Sequence, residues 1–492
     1  MLTPYSQKLN LSDARHLLGR VTFASSWKTI KSFENLTASQ AVNLLFDNAL
    51  KSPAPTAPAW KDDAFKMFWT LPKDEIQKAL DEIYGKVYGQ NYELKRWWME
   101  AMKNDTASIR EKLTLFWHGH FTTKFVVDEP LPAQLMYKQN KLFRDSHQGN
   151  FKKLVENIIL DPAMLIFLNG NGSNKKAPNE NFSRELLELY TCGIGNYTET
   201  DVKEGARVLS GWYVSIYSDE GTPPGVYVPF FVPENHDTNS KIYLGRSIPA
   251  TTQNTQEAVL KNEIKYLVDI IHTERKEAVA RFICEKLYRF FVYSSSENPP
   301  SDVIADMMEI FSKDWEIKPV LMALLQSQHF FDTKNRSVQI KTPAETVVGI
   351  TAHFDVDGEW KEWVMVTMGQ ELLNPPNVAG WPGYRQWLDS RTFPFAVQQL
   401  GYFIWNQKQD YIVKWIEGFD TGSDPKVLIE RILRLFFAKE PNTAQVDKYT
   451  KILLSGSPDY EWANILKNEE LATFRLKIAL IEMIKSPAFH LN

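Results

Sequence analysis

Two histidines lie two positions apart in the segment Phe116–Phe121, which reads Phe-Trp-His-Gly-His-Phe. On a regular helix, residues two apart point about 200° away from each other, but a chain that turns at Gly119 can bring both imidazole rings to one side. Imidazole nitrogen is a common metal ligand. The spacing therefore indicates a His-x-His chelate formed by His118 and His120. The alternative is a buried helix end where both rings bind main-chain carbonyl groups.

A helix rich in carboxylates is predicted from Asn179, which can cap it, to Tyr190. Its apolar residues share one face, and Glu180, Arg184 and Glu185 share the other. If the polar face points inward, a carboxylate held by Arg184 could bind a metal or act as a general base. If it points to solvent, Glu180 and Arg184 form an ordinary ion pair worth about a few tenths of a kcal/mol.

A third group of polar residues is the pair His236-Asp237, which falls in a polar turn. An adjacent histidine and aspartate can be two metal ligands, a base with the carboxylate that orients it, or an Asx turn. All three interpretations fit the residues.

The region around Lys286 combines cations with aromatic residues on one predicted helix. We expect the aromatic stripe to be core, and Arg281, Lys286 and Arg289 to be solvated or paired with Glu285. The segment Pro375–Gly383 has too many helix breakers for a helix and carries Trp381, so we expect a loop that packs on the core or lines a cleft.

The elements that must position these residues are mostly helices, because apolar residues recur at spacings of three and four. One helix is predicted from about Asp74 to Asn104, and Thr198 with Asp201 forms a capping box that opens another. Between positions 212 and 245 the pattern alternates around glycine and proline, which predicts one small β-hairpin. The fold class is therefore mainly α, a large helical bundle-like body with a β-hairpin insertion.

Composition limits the functions that this chain of 492 residues can have. It carries 60 acidic and 56 basic side chains and no long block of like charges, which argues against nucleic-acid binding. Two cysteines are too few for a multi-thiolate zinc site. No apolar run of about 18 residues and no leading apolar segment occur, so neither a transmembrane helix nor a signal peptide is visible, and we expect a soluble protein that is cytoplasmic or already trimmed.

Domain organisation is predicted to be one unit over 1–492. The segment Ser294–Ser301, rich in serine and proline, is a candidate boundary between two lobes, 1–295 with the polar site and 302–492 as a helical C-terminal lobe.

Several motifs together resemble a bacterial family known as domain of unknown function 1800, and the resemblance covers nearly the whole chain. In chain order they are His16–Arg20 with Phe23, Phe116–Phe121, Asn179–Leu189, Gly195–Thr198, Gly211-Trp212, His236-Asp237, Pro375–Gly383 and Ser486–Phe489. The family commonly has a glycine soon after His-Asp, where this chain has Thr238–Ser240. Many members look exported. The resemblance brings no established activity, but it emphasises the same polar motifs and implies that they form one shared site.

The first functional hypothesis is an enzyme, with hydrolysis as the expected reaction. His118, His120 and His236 would bind one divalent metal ion. Catalytic roles would fall to four polar residues, namely Glu180, Arg184, Glu185 and Asp237. The second hypothesis is a binding or assembly protein in which these residues form a structural network, and a Trp-rich surface binds a glycan, a peptide or a protein. A redox protein with a bound cofactor is a third possibility.

Overall fold

A computed structural model of the chain describes residues 2–125, 131–218, 227–295 and 298–492. The described chain is mainly α-helical, as predicted. Its α-helices are α1 (Leu11–Val21), α2 (Trp27–Phe33), α3 (Ala38–Lys51), α4 (Lys73–Asn104), α5 (Arg110–His120), α6 (Ala133–Asp145), α7 (Phe151–Ile159), α8 (Pro162–Phe167), α9 (Glu180–Glu185), α10 (Glu199–Val208), α11 (Gln256–Val259), α12 (Lys265–Glu274), α13 (Lys276–Phe291), α14 (Ser301–Asp314), α15 (Ile317–Leu325), α16 (Gln328–Phe331), α17 (Pro343–Thr351), α18 (Gly358–Thr367), α19 (Thr392–Trp405), α20 (Gln409–Glu417), α21 (Pro425–Phe436), α22 (Thr443–Leu454), α23 (Trp462–Ile465) and α24 (Glu469–Ile484).

Local sequence signals fix where several of these helices begin. The side chain of Thr198 accepts a hydrogen bond from the Asp201 amide, and the Asp201 carboxylate accepts one from the Thr198 amide, so the predicted capping box opens α10. Asn179 caps α9 through its side chain, also as predicted. The predicted helix from Asp74 to Asn104 is α4.

The strands are short and form three separate pairs. Two are antiparallel: β2 (Trp212–Val214) pairs with β4 (Pro229–Phe231), and β5 (Lys241–Tyr243) pairs with β6 (Arg246–Ile248). The third is parallel and joins β1 (Phe65–Lys66) to β3 (Tyr217–Ser218). The β2–β4 pair is the predicted hairpin, with Trp212 opposite Phe231, and its predicted turn around Gly221–Pro224 lies outside the described residues. The β5–β6 hairpin begins inside the predicted region 212–245 and ends beyond it, and it is a second hairpin that the sequence pattern did not predict.

Most of the buried apolar side chains described form one large cluster that begins at Leu9 and reaches Phe489, and Phe65, Val87 and Phe125 form a small second one. Both suggested lobes contribute to the large cluster, since α1 packs on α21 and α4 packs on α17. The division into lobes remains a prediction. Among the helices described, none is both long enough and apolar enough to span a membrane.

Candidate functional site

A cleft of about 240 Å³ lies where α5, α13 and the loop 375–383 meet. Two of the sequence motifs, the histidine segment of α5 and the Trp381 loop, therefore face each other across one cavity. Its lining includes Phe116, Gly119 and His120 from α5, Lys286, Arg289 and Phe290 from α13, and Ala379, Trp381 and Gly383 from the loop. Concave, mostly apolar walls with a few polar groups are typical of small-molecule sites.

The polar centre of the cleft is a pair of side chains, His120 and Lys286. The Nε2 atom of His120 lies 3.0 Å from the carbonyl oxygen of Tyr190. Because a carbonyl oxygen can only accept a hydrogen bond, Nε2 carries the proton, and Nδ1 of the neutral ring is left as an acceptor. The Nζ atom of Lys286 lies 3.1 Å from that Nδ1 and 3.2 Å from the carbonyl oxygen of Leu189.

The two carbonyl groups come from an unusual turn of helix. After Glu185 the α9 helix continues as a π-helix over Leu186–Thr191, closed by a hydrogen bond from the Cys192 amide to the Leu187 carbonyl. The last carbonyls of a helix lack main-chain partners, so Leu189 and Tyr190 can offer theirs to side chains. The helix predicted from Asn179 thus does meet the histidine segment, but through main-chain oxygen atoms. Single π-turns inside helices are frequent at functional sites.

Burial lowers the pKa of both groups of the pair. Burial lowers the pKa of Lys286 to about 7, and the neighbouring Arg289 lowers it further. Burial also holds the pKa of His120 well below its ordinary value, and the charge of Lys286 acts in the same direction. Near neutral pH, Lys286 therefore exists partly as a free amine, which can act as a nucleophile or as a base.

The Trp381 loop closes the cleft by close contact with α5. Gly380 has a φ of +87°, and a Cβ atom at that position would lie 2.4 Å from the carbonyl oxygen of Gly119. Only glycine fits both the left-handed backbone and this approach. The predicted loop therefore both packs on the core and lines the cleft.

His118 is not among the residues that line the cleft, and its ring lies inside an aromatic cage that includes Trp381 from the cleft wall. Its ring contacts Trp98, Trp381 and Phe143, with ring centroids 5.4, 5.5 and 6.4 Å away. Burial lowers its pKa to about 3, so the ring is neutral. Its Nε2 is buried and has no hydrogen-bond partner among the residues that the structure describes.

The polar face of α9 is turned toward solvent. Arg184 binds the Glu199 carboxylate at the start of α10 through two hydrogen bonds of 2.7 and 2.6 Å, and its ion pair with Glu180 is longer, at 3.8 Å. Glu185 is half-buried, and burial, aided by Glu188, raises the pKa of its carboxyl. Of the two alternatives, this geometry is that of the exposed ion pair between Glu180 and Arg184, and Arg184 also joins α9 to α10.

The His236-Asp237 turn has partners of its own, away from the cleft pair. Nδ1 of His236 lies 2.9 Å from the Ser210 carbonyl oxygen, and Nε2 lies 3.1 Å from the Glu263 carboxylate. Asp237 accepts hydrogen bonds from Arg207 and from the Asn239 amide. Burial acts to raise the pKa of Asp237, but these contacts outweigh it and bring the pKa to about 2.

The structure thus brings His120 to the cleft but does not place His118 and His236 beside it. His118 points into an aromatic cage, and both nitrogens of His236 already face oxygen atoms. In the described ranges there is no group of three or more histidine, cysteine, aspartate or glutamate side chains that could hold a metal ion.

Lys286 is the residue of the cleft that sequence reasoning missed, since it was expected to be solvated or paired with Glu285. Glu285 in fact pairs with Arg289, at 3.2 Å, and the Nζ of Lys286 lies 4.4 Å from the ring centroid of Phe282. A signal was present: Phe282, Lys286 and Phe290 are four residues apart and share one helix face. A lysine in the middle of an aromatic stripe is a candidate for burial.

The protein family described as "Protein of unknown function (DUF1800)" has a model that matches residues 16–491. The match therefore includes α5, the π-helical turn, α13 and the Trp381 loop. No curated protein and no solved structure matches the chain.

Replacing Gly380 by alanine should displace the Trp381 loop, because the new methyl group would overlap the Gly119 carbonyl. Gly369→Ala is the matched control: its φ is +99°, but nothing lies within 4 Å of the position that Cβ would occupy. Both variants acquire backbone strain, and only Gly380→Ala acquires the overlap. We expect Gly380→Ala to lose at least about 1 kcal/mol more in the free energy of unfolding, measured with denaturant. Equal losses would contradict the tight docking of the loop.

Replacing Lys286 by methionine should change how stability depends on pH. The pKa of Lys286 is about 7 in the folded chain, against an ordinary 10.5. Well below pH 7 the lysine is charged in both the folded and the unfolded chain, so its contribution to the free energy of unfolding does not change with pH. Between these two values only the unfolded chain binds the proton, so the wild type gains stability as pH rises. From pH 7 to pH 9 we expect the unfolding free energy of the wild type to rise by about 1–2 kcal/mol relative to Lys286→Met.

The control is Lys276→Met, which removes an exposed lysine from the same helix. Chemical denaturation at several pH values measures all three proteins. If Lys286→Met and Lys276→Met depend on pH in the same way, the amine of Lys286 is not perturbed as described.

Proposed function

The chain belongs to the family described as "Protein of unknown function (DUF1800)", and we propose that it is an enzyme in which the amine of Lys286 reacts with a small carbonyl compound that carries an acidic group. The observation that carries the proposal is the placement of Lys286 in the cleft. Its Nζ is held by a neutral imidazole and by a main-chain carbonyl, and no carboxylate of the described residues pairs with it.

This arrangement favours a reactive amine. A neutral amine has two N–H bonds and one lone pair. If one N–H donates to Nδ1 of His120 and the other to the Leu189 carbonyl, the lone pair is left for a molecule in the cleft. A protonated lysine has three N–H donors and no lone pair. The lowered pKa therefore allows Lys286 to act as a nucleophile near neutral pH.

The lining of the cleft suggests the class of ligand. Aromatic side chains from three segments, Phe116, Phe290 and Trp381, can cover an apolar body. Arg289 lies at the same cavity; its Nη1 donates to Glu285, and the remaining N–H groups of the guanidinium can bind a carboxylate or phosphate group of a ligand. A small 2-oxo acid combines a reactive carbonyl with such a charge.

In the proposed step, the Lys286 lone pair attacks the carbonyl carbon, and a C–N bond forms. Proton transfer from nitrogen to oxygen gives a carbinolamine. The C–O bond then breaks as the second proton of the nitrogen passes to the hydroxyl group, which leaves as water, and a C=N bond forms. The product is an imine of Lys286. The neutral ring of His120 keeps the nitrogen oriented, because its own proton is fixed on Nε2 by Tyr190.

To detect the imine, the protein is incubated with pyruvate as a probe 2-oxo acid and reduced with sodium borohydride, and the adduct is located by peptide mass spectrometry. We expect one adduct on Lys286 near neutral pH, because this amine is the one that is free and accessible to the cleft. Lys286→Met should lose it, and Lys276→Met should retain it. Labelling spread over exposed lysines, or absent from Lys286 across a panel of 2-oxo acids, would count against an amine-dependent enzyme.

A metal-dependent hydrolase is the second candidate, with His118, His120 and His236 as ligands and with Glu180, Arg184, Glu185 and Asp237 in supporting roles. The observation in its favour is the buried Nε2 of His118, which lacks a partner in the described part of the chain. Binding one ion through all three histidines requires side chains to leave their present partners, Tyr190 for His120 and Glu263 for His236.

Elemental analysis by plasma mass spectrometry tests the metal directly, on protein purified without a histidine tag. A metal site predicts near-stoichiometric metal in the wild type that is lost in His118→Ala/His120→Ala. If neither protein retains metal after reconstitution, and the double variant unfolds at a lower temperature, these histidines belong to a structural network. That result, together with no adduct on Lys286, would favour a binding or assembly protein.

A further inference from the structure

A second cavity, of about 50 Å³, lies between α1, α17 and the end of α21. It shares no lining residue with the cleft at Lys286. Basic side chains from two different helical regions, Arg15 and Lys341, line it. Its volume suits one small ion rather than an organic substrate.

Arg15 is buried and reaches the cavity with part of its guanidinium group. Its Nε donates to the Leu435 carbonyl at 2.8 Å, and Nη2 lies 3.5 Å from the Phe436 carbonyl. Nη1 has no acceptor among the described residues, and it occupies the space beside Gly19, where a Cβ atom would lie only 1.9 Å from it. The absence of a side chain at Gly19 therefore makes room for an N–H donor that the protein itself leaves unused.

Lys341 approaches the same cavity from the segment before α17. Its Nζ donates to the Phe489 and Phe436 carbonyls, at 2.6 and 3.2 Å, and the protonated amine has a third N–H donor left. Burial, with the charge of Arg15, lowers the pKa of Lys341 well below its ordinary value, and a bound anion would favour the protonated form. His353 also lines the cavity, and burial together with the charge of Arg15 lowers its pKa to about 4. A neutral ring still has one N–H to donate.

The lining of this cavity carries fewer acidic side chains than basic ones. Glu345 is the acidic side chain in the lining, but its carboxylate already binds the amine of Lys112 and the Thr342 amide. In the described chain the hydrogen bonds of Arg15 and Lys341 all go to carbonyl oxygen atoms. Burial lowers the pKa of Arg15 to about 10, although the charge of Glu345 acts to raise it, so this one carboxylate does not offset the cost of the buried cation.

We propose that this cavity is a binding site for one phosphate-sized oxyanion, held by Nη1 of Arg15, by Nζ of Lys341 and by the ring N–H of His353. Guanidinium and ammonium groups form strong charge-assisted hydrogen bonds with phosphate and sulfate. The anion would supply the missing negative charge. It would also strengthen the contact between α1, α17 and two other parts of the chain, Leu435–Phe436 and Phe489. The carbonyl groups of those two parts already accept hydrogen bonds from Arg15 and Lys341.

Inorganic phosphate is the probe, compared with chloride at equal ionic strength and pH, because general screening by salt is then the same. We expect phosphate to raise the Tm in a saturable way, as a ligand of the folded state must. Isothermal titration calorimetry should give one site per chain. Lys341→Met should bind phosphate at least about tenfold more weakly, since a charged hydrogen bond is lost.

His353→Phe keeps both charges and removes only the ring donor, so it tests the site even if Lys341→Met fails to fold. It should also bind phosphate more weakly than the wild type. Lys28→Met, which removes an exposed lysine from the nearby α2, and Lys286→Met should both keep the full response. The proposal is wrong if phosphate and chloride give the same Tm for the wild type, or if His353→Phe responds to phosphate as the wild type does.

Discussion

The contact of Lys286 with His120 and with the end of the π-helical turn is the constraint on which the cleft depends. An amine enclosed among aromatic rings needs acceptors, and here they are neutral: an imidazole nitrogen and a carbonyl oxygen. To supply them, α5, α13 and the helix after Asn179 must meet, although they are far apart in the sequence. The Trp381 loop then closes over α5 through Gly380. Each of these elements is placed by a polar requirement as well as by apolar packing.

The chain treats another buried lysine differently. Nζ of Lys241 lies 2.6 Å from the Glu263 carboxylate, which also faces the ring of His236. In that cluster the cation has a counter-charge, so its polar groups satisfy one another and can hold the β5 region against the helices. Around Lys286 no carboxylate in the described ranges plays this part, and the amine stays available. The contrast separates a polar network that supports the fold from one that can meet a ligand.

Much of the fold was predictable because its signals are local. Helical spacing, the capping box at Thr198 and the alternation near Trp212 each depend on residues within a few positions of one another. The sequence also indicated that the histidine segment and the helix after Asn179 belong together, and His120 does contact Tyr190. It could not indicate that main-chain oxygen atoms make the contact, since these are present at every residue. Nor could it place His236 beside Glu263, because that pairing is set by tertiary packing.

The π-helical turn over Leu186–Thr191 has a consequence for how such a cleft can be altered. A π-turn holds one residue more than the α-helical turn it replaces. Removing a single residue from it would restore α-helical winding and rotate the chain beyond it by about 100°. The carbonyls of Leu189 and Tyr190 would then point away from Lys286 and His120, although every side chain of the cleft would be intact. The position of these two carbonyl groups therefore depends on the length of this segment. Point substitutions leave that length unchanged and so do not test it.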